Sequence, residues 1–437
     1  MAFQYTKYIF TQLFGDFNRE ELKKFLLLGV VLGHIIGIYA ALAIVRDVLF
    51  KDIVGGEFIQ RAQIISLISM IPLVLIYSKL VEKLSREALF SVLSIVYGFT
   101  SLVIAGLVFY LPRDFANGQA DPSHMLGWVL YVFIQSFGSL FVALFWAFAT
   151  DSTTPKSAEK GFLVVLMVGV LGRTFVPLLV TNLSLRFGMH FNVISNAWIF
   201  IFSGLLMFLI VPLVRVLKAR VSPEQMIGFT EKRADTPAGE PGIFKGLTLI
   251  LTQPYLIGIL GIFFFQGLIG TELSSYFRTL ARTQFPAPFE RISYIGSYAF
   301  YVNIGIFLCF LFGIIILRRW RAVPALLVFM PLLFGLVALA FKYHAQTNLL
   351  FWLMVLSQAI AQMLYRSALR QLYVPTSSDV HFKSQAWIEV FGPGLAGLSS
   401  LNNSSFLLGG SILLWIVVAL YVGKTYKKSV DSNTVVC

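Results

Sequence analysis

Long apolar runs separated by short polar connections make up most of this chain. Twelve runs follow one another, each close to the roughly 20 apolar residues that a helix needs to cross a bilayer. Glycine and proline at positions 392–394 interrupt the eleventh. The predicted spans are 25–46, 61–80, 89–111, 125–149, 161–184, 192–217, 247–277, 292–317, 322–341, 348–369, 384–400 and 404–423.

The length of these runs predicts helices. Backbone groups in lipid must be hydrogen-bonded within the protein, and the alternating pattern of about ten residues that barrel strands need is absent. Composition agrees, since hydrophobic residues make up 57% of the chain and charged residues 13%, too little charge to cover a soluble protein of this size. We expect an all-α, polytopic membrane protein.

The chain divides near its middle. Residues 218–245 form the longest polar stretch and contain proline and glycine, which predicts a linker between a six-helix half, 1–217, and a second one, 246–437. After the fourth span of each half comes a hydroxyl-rich loop ending in lysine, 150–160 and 375–383. Parallel six-plus-six repeats are typical of major-facilitator carriers, which bind substrate between the halves and work by alternating access.

Most of the 34 lysines and arginines fall in alternate connections and in the two terminal segments. The positive-inside rule then predicts that both termini are cytoplasmic. The formal charge of +13 follows from this topology and from contact with anionic lipid headgroups, so no nucleic-acid partner is needed to explain it.

Motifs of hydrolytic enzymes are missing from the sequence. Gly423-Lys424-Thr425 lacks the leading glycine of a phosphate-binding loop, and no zinc-helix motif or nucleophile elbow occurs. The two cysteines, Cys309 and Cys437, predict neither a bridge nor a metal site. We expect no catalytic residues, no metal and no cofactor, and therefore a carrier driven by gradients or by exchange.

Ionisable side chains inside spans are costly in lipid and commonly face a cavity. Arg173 needs an acidic partner or an anion, and Glu389 is a candidate for that partner. For His34, between glycines, a close helix contact is favoured over a cavity role. Arg366 and Arg370, at a span end, are expected to extend toward the headgroups. Interhelical hydrogen bonds are favoured over ligand contacts for five amide side chains within the spans, Gln135, Gln266, Asn303, Gln358 and Gln362.

Several segments carry a resemblance to a known family. They include VRDVLFKDIVGGEFI (45–59), SMIPLVLIYSKLVEKLSREALF (69–90), GSLFVALFWAFATDSTTPKSAEKGF (138–162), TELSSYFRTLARTQFPAP (271–288) and LYRSALRQLYVPTSSDVHFKSQAWIEVFGPGLAG (364–397). In this order they resemble the ATP/ADP translocases of obligate intracellular bacteria and plastids, the nucleotide transporter family. The resemblance implies a major-facilitator-like carrier that exchanges ATP for ADP, here in the inner membrane of an intracellular bacterium.

The charges of this family are only partly kept. Arg46, beside Asp47, stands at the family's first-helix lysine, whereas Gln135 replaces a glutamate of the fourth helix. Lys160 and Lys383 match family lysines. Glu272 and Glu389 match acidic positions of the seventh and eleventh helices, while Arg366 and Arg370 replace the polar cluster of the tenth.

Nucleotide phosphates carry three or four negative charges, and arginine offers them a bidentate fork that lysine lacks. Together with the resemblance, this gives the expected substrate-binding residues Arg46, Asp47, Gln135, Lys160, Arg173, Glu272, Arg278, Lys383 and Glu389. The expected partners are a nucleotide or another phosphorylated small molecule and the lipid bilayer, and the carrier is expected to act as a monomer.

Two alternatives stay open at this point. One is a proton-coupled carrier of another anionic or amphipathic solute, with Glu272, Glu389 or His34 as the proton site. The other is a scaffold derived from a carrier that no longer transports. Transport assays with several nucleotides separate the three hypotheses.

Overall fold

A computed structural model describes residues 17–109, 120–188, 193–228, 242, 244–285, 288–320, 323–343, 345–398 and 405–437. Helices hold nearly all of these residues, as the apolar runs predicted. The first six membrane helices are α1 (Arg19–Ile53), α2 (Ile59–Lys83), α3 (Arg86–Phe109), α4 (Met125–Asp151), α5 (Pro155–Gly188) and α6 (Val193–Arg220).

The second half of the chain follows the same plan with more interruptions. A short helix, α7 (Lys245–Thr252), precedes the membrane helices. The remaining helices are α8 (Pro254–Gln284), α9 (Pro288–Trp320), α10 (Val323–Lys342), α11 (Thr347–Ile360), α12 (Arg366–Gln371), α13 (Gln385–Leu398) and α14 (Ser405–Ser432). A π turn at Ala361–Tyr365 joins α11 to α12, and another at Val380–Ser384 leads into α13.

Each predicted span corresponds to a helix, and eleven helical segments of the described chain are long and apolar enough to cross a membrane. The helix at the eleventh predicted span, 384–400, is not among these eleven segments. Helix α13 has 14 residues, which at 1.5 Å each cover about 21 Å of a hydrocarbon core roughly 30 Å thick. Residues 399–404 lie outside the described part, so the count of twelve complete spans stays a prediction.

Several helices run further than the apolar pattern predicted. Helix α1 has 35 residues and begins at Arg19, six residues before the predicted span. Its first turn carries Glu20 and Glu21, which interact favourably with the partial positive charge of a helix N-terminus. Charged ends therefore continue the helix beyond the apolar core, because ionised side chains reach the headgroup layer.

Close helix packing explains the glycines around His34. A Cβ atom on Gly172 of α5 would lie 2.3 Å from the backbone of Gly33 on α1, so a side chain there would force the two helices apart. His34 Nε2 lies 2.7 Å from the carbonyl oxygen of Leu206 on α6. The structure thus matches the close helix contact favoured for His34.

The helix pairings of the first half recur in the second. Helix α1 packs along α5 and α3 along α6, while α8 packs along α13 and α10 along α14. These are the first and fifth, and the third and sixth, membrane segments of each half. The boundaries 1–217, 218–245 and 246–437 stay a prediction, because residues 229–241 and 243 lie outside the described part.

Candidate functional site

A cavity of about 600 Å³ lies between the first six and the last six membrane helices. Helices α1 and α4 form one wall with residues that include Tyr39 and Ser139, and α8, α10, α11, α12 and α13 form the other. This position between the halves is where the sequence placed the substrate of a major-facilitator-like carrier.

Positive charge dominates this cavity. Arg278 of α8, Arg366 and Arg370 of α12, and Glu389 of α13 are the charged side chains among the described residues that line it. Three guanidinium groups against one carboxylate leave two positive charges in excess. Arg278 and Arg366 are exposed to the open cavity, so their forks are available to phosphate or carboxylate oxygens.

A row of polar side chains on one membrane segment builds much of the C-terminal wall. Gln358, Gln362, Arg366 and Arg370 follow one another every four residues, and all four line the cavity. In an α-helix with 3.6 residues per turn, each fourth neighbour drifts by roughly 40° around the axis. The π turn at Ala361–Tyr365 holds more residues per turn, reverses part of that drift, and so keeps the row on one face.

Arg370 lies at a junction between the two halves. It forms an ion pair with Glu389, and Gln385 Nε2 donates a hydrogen bond of 2.6 Å to the same carboxylate. The guanidinium carbon of Arg370 also lies 4.8 Å from the ring centroid of Trp146 on α4, within the range of a cation–π contact. Glu389 therefore pairs with Arg370, whereas the sequence suggested Arg173.

The structure brings Arg46, Asp47 and Gln135 together beside the cavity. Arg46 Nη1 donates to Gln135 Oε1 at 2.7 Å, and Arg46 Nε donates to Asp47 Oδ1 at 2.9 Å. The guanidinium lies 4.7 Å from the ring centroid of Tyr131. Tyr39, which lines the cavity, donates its hydroxyl to the same Gln135 oxygen at 3.3 Å. Arg46 thus reaches the cavity through Gln135 and Tyr39.

The other predicted site residues are not among those that line the cavity. Lys160 pairs with Glu21 at 2.5 Å, near the start of α5 and apart from the cavity. Arg173 is exposed on α5, where its charge acts on Arg366 of the cavity, and Glu272 is buried on α8. Neither is among the residues that line the cavity. Their role as substrate ligands stays a prediction.

Lys383 lies where the halves meet at one end of the molecule. Its Nζ is 2.8 Å from Glu82 Oε1, across the two halves. We call this region the closed end. It is formed by Glu82, Arg86, Asp151, His381, Phe382 and Lys383. His381 Nδ1 lies 3.3 Å from Asp151 Oδ1, and Arg86 pairs with the same carboxylate.

The closed end carries the connections after α2, after α4 and before α13. Arg86 also stacks against Phe382, with 5.3 Å from the guanidinium carbon to the ring centroid. His381 Nε2 is 2.7 Å from the carbonyl oxygen of Tyr373, which ties this histidine to the segment just after Arg370. This hydrogen bond therefore connects the closed end to the chain three residues beyond Arg370, which lines the cavity.

The sequence predicted other roles for several residues that line the cavity. Arg366 and Arg370 were expected to extend toward the headgroups, and Gln358 and Gln362 to make interhelical hydrogen bonds, yet all four line the cavity. Gln266 of α8 lies there as well. The four-residue spacing along 358–370 was the available signal, because a polar row at helical spacing marks one face.

Comparison with protein families gives one match over nearly the whole chain. The model of the TLC ATP/ADP transporter family matches residues 4–420. Among curated proteins, "ADP,ATP carrier protein 1" of Rickettsia conorii is 22% identical, covering 95% of this chain and 96% of that protein. The protein of the same name from Chlamydia muridarum is 25% identical, covering 81% and 76%.

Solved structures agree on the fold. A bacterial homologue of the iron transporter ferroportin, in an outward-facing state, superposes with a TM-score of 0.69 at 14% identity over 94% of this chain and 100% of that chain. The major facilitator superfamily transporter FucP gives a TM-score of 0.60 at 13% identity over 93% and 99%. At these low sequence identities, the two comparisons show only that the chain has the major-facilitator fold.

Proposed function

The chain belongs to the TLC ATP/ADP transporter family, and we propose that it exchanges ATP for ADP across a bacterial inner membrane by alternating access. The observation that carries this proposal is the cavity between the halves, with Arg278, Arg366 and Arg370 against Glu389. Arginine forks match phosphate oxygens, and the two positive charges in excess suit a polyanion.

The closed end indicates which state of the cycle the structure represents. Lys383 with Glu82, and His381 with Asp151, hold the halves together there. The positive-inside pattern supports a cytoplasmic position for this end and for both termini. We therefore propose that the structure is the outward-open state, in which the cavity awaits an external nucleotide.

The order of the arginines suggests how a nucleotide enters. Arg278 lies toward the outer end of α8, and Arg370 lies near the closed end of its helix. We propose that phosphates first meet Arg278, then Arg366, and finally compete with Glu389 for Arg370. The half-buried ring of Tyr39, which lines the cavity, offers a face on which the base can stack.

Uptake of labelled ATP into proteoliposomes tests the proposal. With internal ADP we expect uptake at least about tenfold faster than into empty vesicles, because an exchanger needs a loaded carrier to return. Nucleotides should compete, whereas sugars of similar size should not. Equal uptake into loaded and empty vesicles would contradict exchange.

One observation favours a second candidate, a proton-coupled carrier. Glu389 is a carboxylate at the edge of the cavity, and its partner Arg370 is itself a candidate substrate ligand. A substrate that takes Arg370 would leave Glu389 free to accept a proton. Uptake that depends on a pH gradient, and not on internal nucleotide, would favour this candidate.

Arg46 provides a test of the hydrogen-bond relay beside the cavity. We expect Arg46→Ala to insert normally but to lower nucleotide affinity by about a hundredfold, because Gln135 and Tyr39 lose the cation that orients them. Arg46→Lys should retain part of the activity, since the charge stays while the fork is lost.

Binding and uptake of both Arg46 variants are compared with Arg61→Ala. Arg61 is exposed on α2, beside Phe58 and away from the cavity, so its loss should change neither quantity. A loss smaller than about threefold in Arg46→Ala would show that Arg46 only anchors the helix at the interface.

A further inference from the structure

A second cavity, larger than the central one, lies between α8, α10 and α14. Its volume is about 980 Å³, and we call it the lateral groove. Two residues that line it, Leu339 and Leu413, are exposed by 52% and 65%. In a membrane helix, apolar side chains with this exposure face the lipid. The lateral groove therefore opens to the bilayer.

Polarity changes along the lateral groove. Its rim lies at helix ends, with Thr283 and Gln284 closing α8, Lys342 closing α10, and Gln346 and Thr347 opening α11. These ends lie on one side of the membrane, because successive helices cross it in opposite directions. A phospholipid has the same order of groups, with a phosphate at the interface and an apolar chain below it.

The interior of the lateral groove is apolar on its α10 and α14 sides, whereas α8 adds the hydroxyl side chains of Ser275 and Thr279. The two apolar sides are lined by Gly335, Leu408, Gly409 and Ile412. Gly335 precedes Lys342 by seven residues, so at 1.5 Å per residue the groove reaches about 10 Å below its rim. That depth matches the upper part of one acyl chain.

At Gly409 the described part of the chain leaves the groove open. A Cβ atom added to Gly409 would meet nothing within 4 Å, and the same holds for its neighbour Gly410. Only Gly409 of the two lines the groove. An apolar surface without partner atoms loses its dispersion contacts, and within a bilayer acyl chains are the apolar groups at hand to restore them.

We infer that the lateral groove binds one membrane phospholipid, with an acyl chain between α10 and α14 and its phosphate at Lys342. The ammonium group of Lys342 supplies the charge-assisted contact, and the side-chain amides of Gln284 and Gln346 are further hydrogen-bond donors. Basic side chains at helix ends commonly reach the headgroup layer.

A lipid in the lateral groove would contact the same helix, α8, that forms a wall of the transport cavity. Ser274 and Arg278 line the central cavity, whereas Ser275 and Thr279 line the lateral groove. One helix thus forms a wall of both, and an acyl chain in the groove supports α8 on a face about 100° around the helix from Arg278. Lipid binding in the groove does not depend on which solute the carrier moves.

Native mass spectrometry of the purified full-length protein, with phosphatidylglycerol added in detergent, tests this site. We expect the wild type to retain one lipid that Gly409→Trp loses, because the indole fills the groove. Gly410→Trp is the matched control, since it adds the same volume one residue away and should retain the lipid. Gly409→Leu serves as a second variant should Gly409→Trp fail to fold.

The headgroup contact has its own variant. Lys342→Gln should lower retention of phosphatidylglycerol by about fivefold, the range expected for one charge-assisted contact near the surface. Diacylglycerol, which lacks the phosphate, should bind the wild type and Lys342→Gln equally. Retention of the lipid by both Gly409 variants, or equal loss from Gly410→Trp, overturns the site. An unchanged affinity in Lys342→Gln overturns the placing of the phosphate.

Discussion

Arg370→Ala is expected to reduce nucleotide exchange by about a thousandfold, the largest effect of any single substitution in the cavity. Two losses combine in this variant. The substrate loses a guanidinium fork, and Glu389, whose side chain is only 7% exposed, keeps a negative charge without its cation. Breaking a buried, hydrogen-bonded ion pair costs on the order of 3–5 kcal/mol.

A second variant separates these two losses. In Arg370→Ala combined with Glu389→Ala the unpaired carboxylate is gone, so thermal stability should return close to that of the wild type. Exchange should stay low, because the phosphate ligand is still missing. Recovery of exchange in the double variant would mean that Arg370 serves only to neutralise Glu389.

Arg370→Lys completes the series. Lysine keeps the charge opposite Glu389 but cannot offer two parallel donors to a phosphate. We expect near-normal stability with exchange reduced by about tenfold to a hundredfold. Initial rates of ATP uptake into ADP-loaded vesicles, at equal amounts of inserted protein, give the comparison.

The positions of the spans could be predicted because lipid admits only helices and closed barrels, and the alternating pattern of barrel strands is absent. The ends of the helices could not. Arg19–Ile53 and Ser405–Ser432 both exceed their apolar runs, since a helix continues into the headgroup layer where charged side chains are solvated. The irregular segment around α13 showed in the sequence only as Gly392-Pro393-Gly394, without its actual start or length.

The candidate site was predictable only where an intramembrane charge has no other explanation. Arg278 and Glu389 were expected at the cavity and line it. Lys160 and Lys383 have acidic partners 139 and 301 residues away in the sequence, Glu21 and Glu82, and no local pattern reveals such pairs. Whether any of these residues binds substrate stays a prediction.

Arg366 and Arg370 were hard to predict as cavity residues for a different reason. Their place near a span end is equally typical of arginines that reach the headgroups, so burial could not be read from their position. The π turn at Ala361–Tyr365 directs both side chains to the cavity, because it aligns them with Gln358 and Gln362. A π turn has no clear sequence signature, whereas the four-residue spacing that it aligns was visible.

The excess of positive charge in the cavity gives a physical reason for obligatory exchange. Alternating access requires the cavity to close around its contents before it opens on the other side. Closing an empty cavity would remove water from Arg278 and Arg366, which are exposed here, at a cost of several kcal/mol for each uncompensated charge. Bound phosphates remove that cost, so the loaded carrier should reorient faster than the empty one.

We therefore expect two neutralising substitutions to act in opposite directions. Arg366→Gln lowers the excess from two charges to one and should speed the return of the empty carrier by about tenfold, whereas Glu389→Gln raises it to three and should slow that return. Efflux of labelled ADP from vesicles into nucleotide-free buffer measures this step, and efflux into ATP measures exchange. Arg61→Gln, a neutralisation outside the cavity, should change neither rate. If Arg366→Gln and Glu389→Gln shift net efflux in the same direction, cavity charge does not set the coupling, because an electrostatic barrier must respond to the sign of the change.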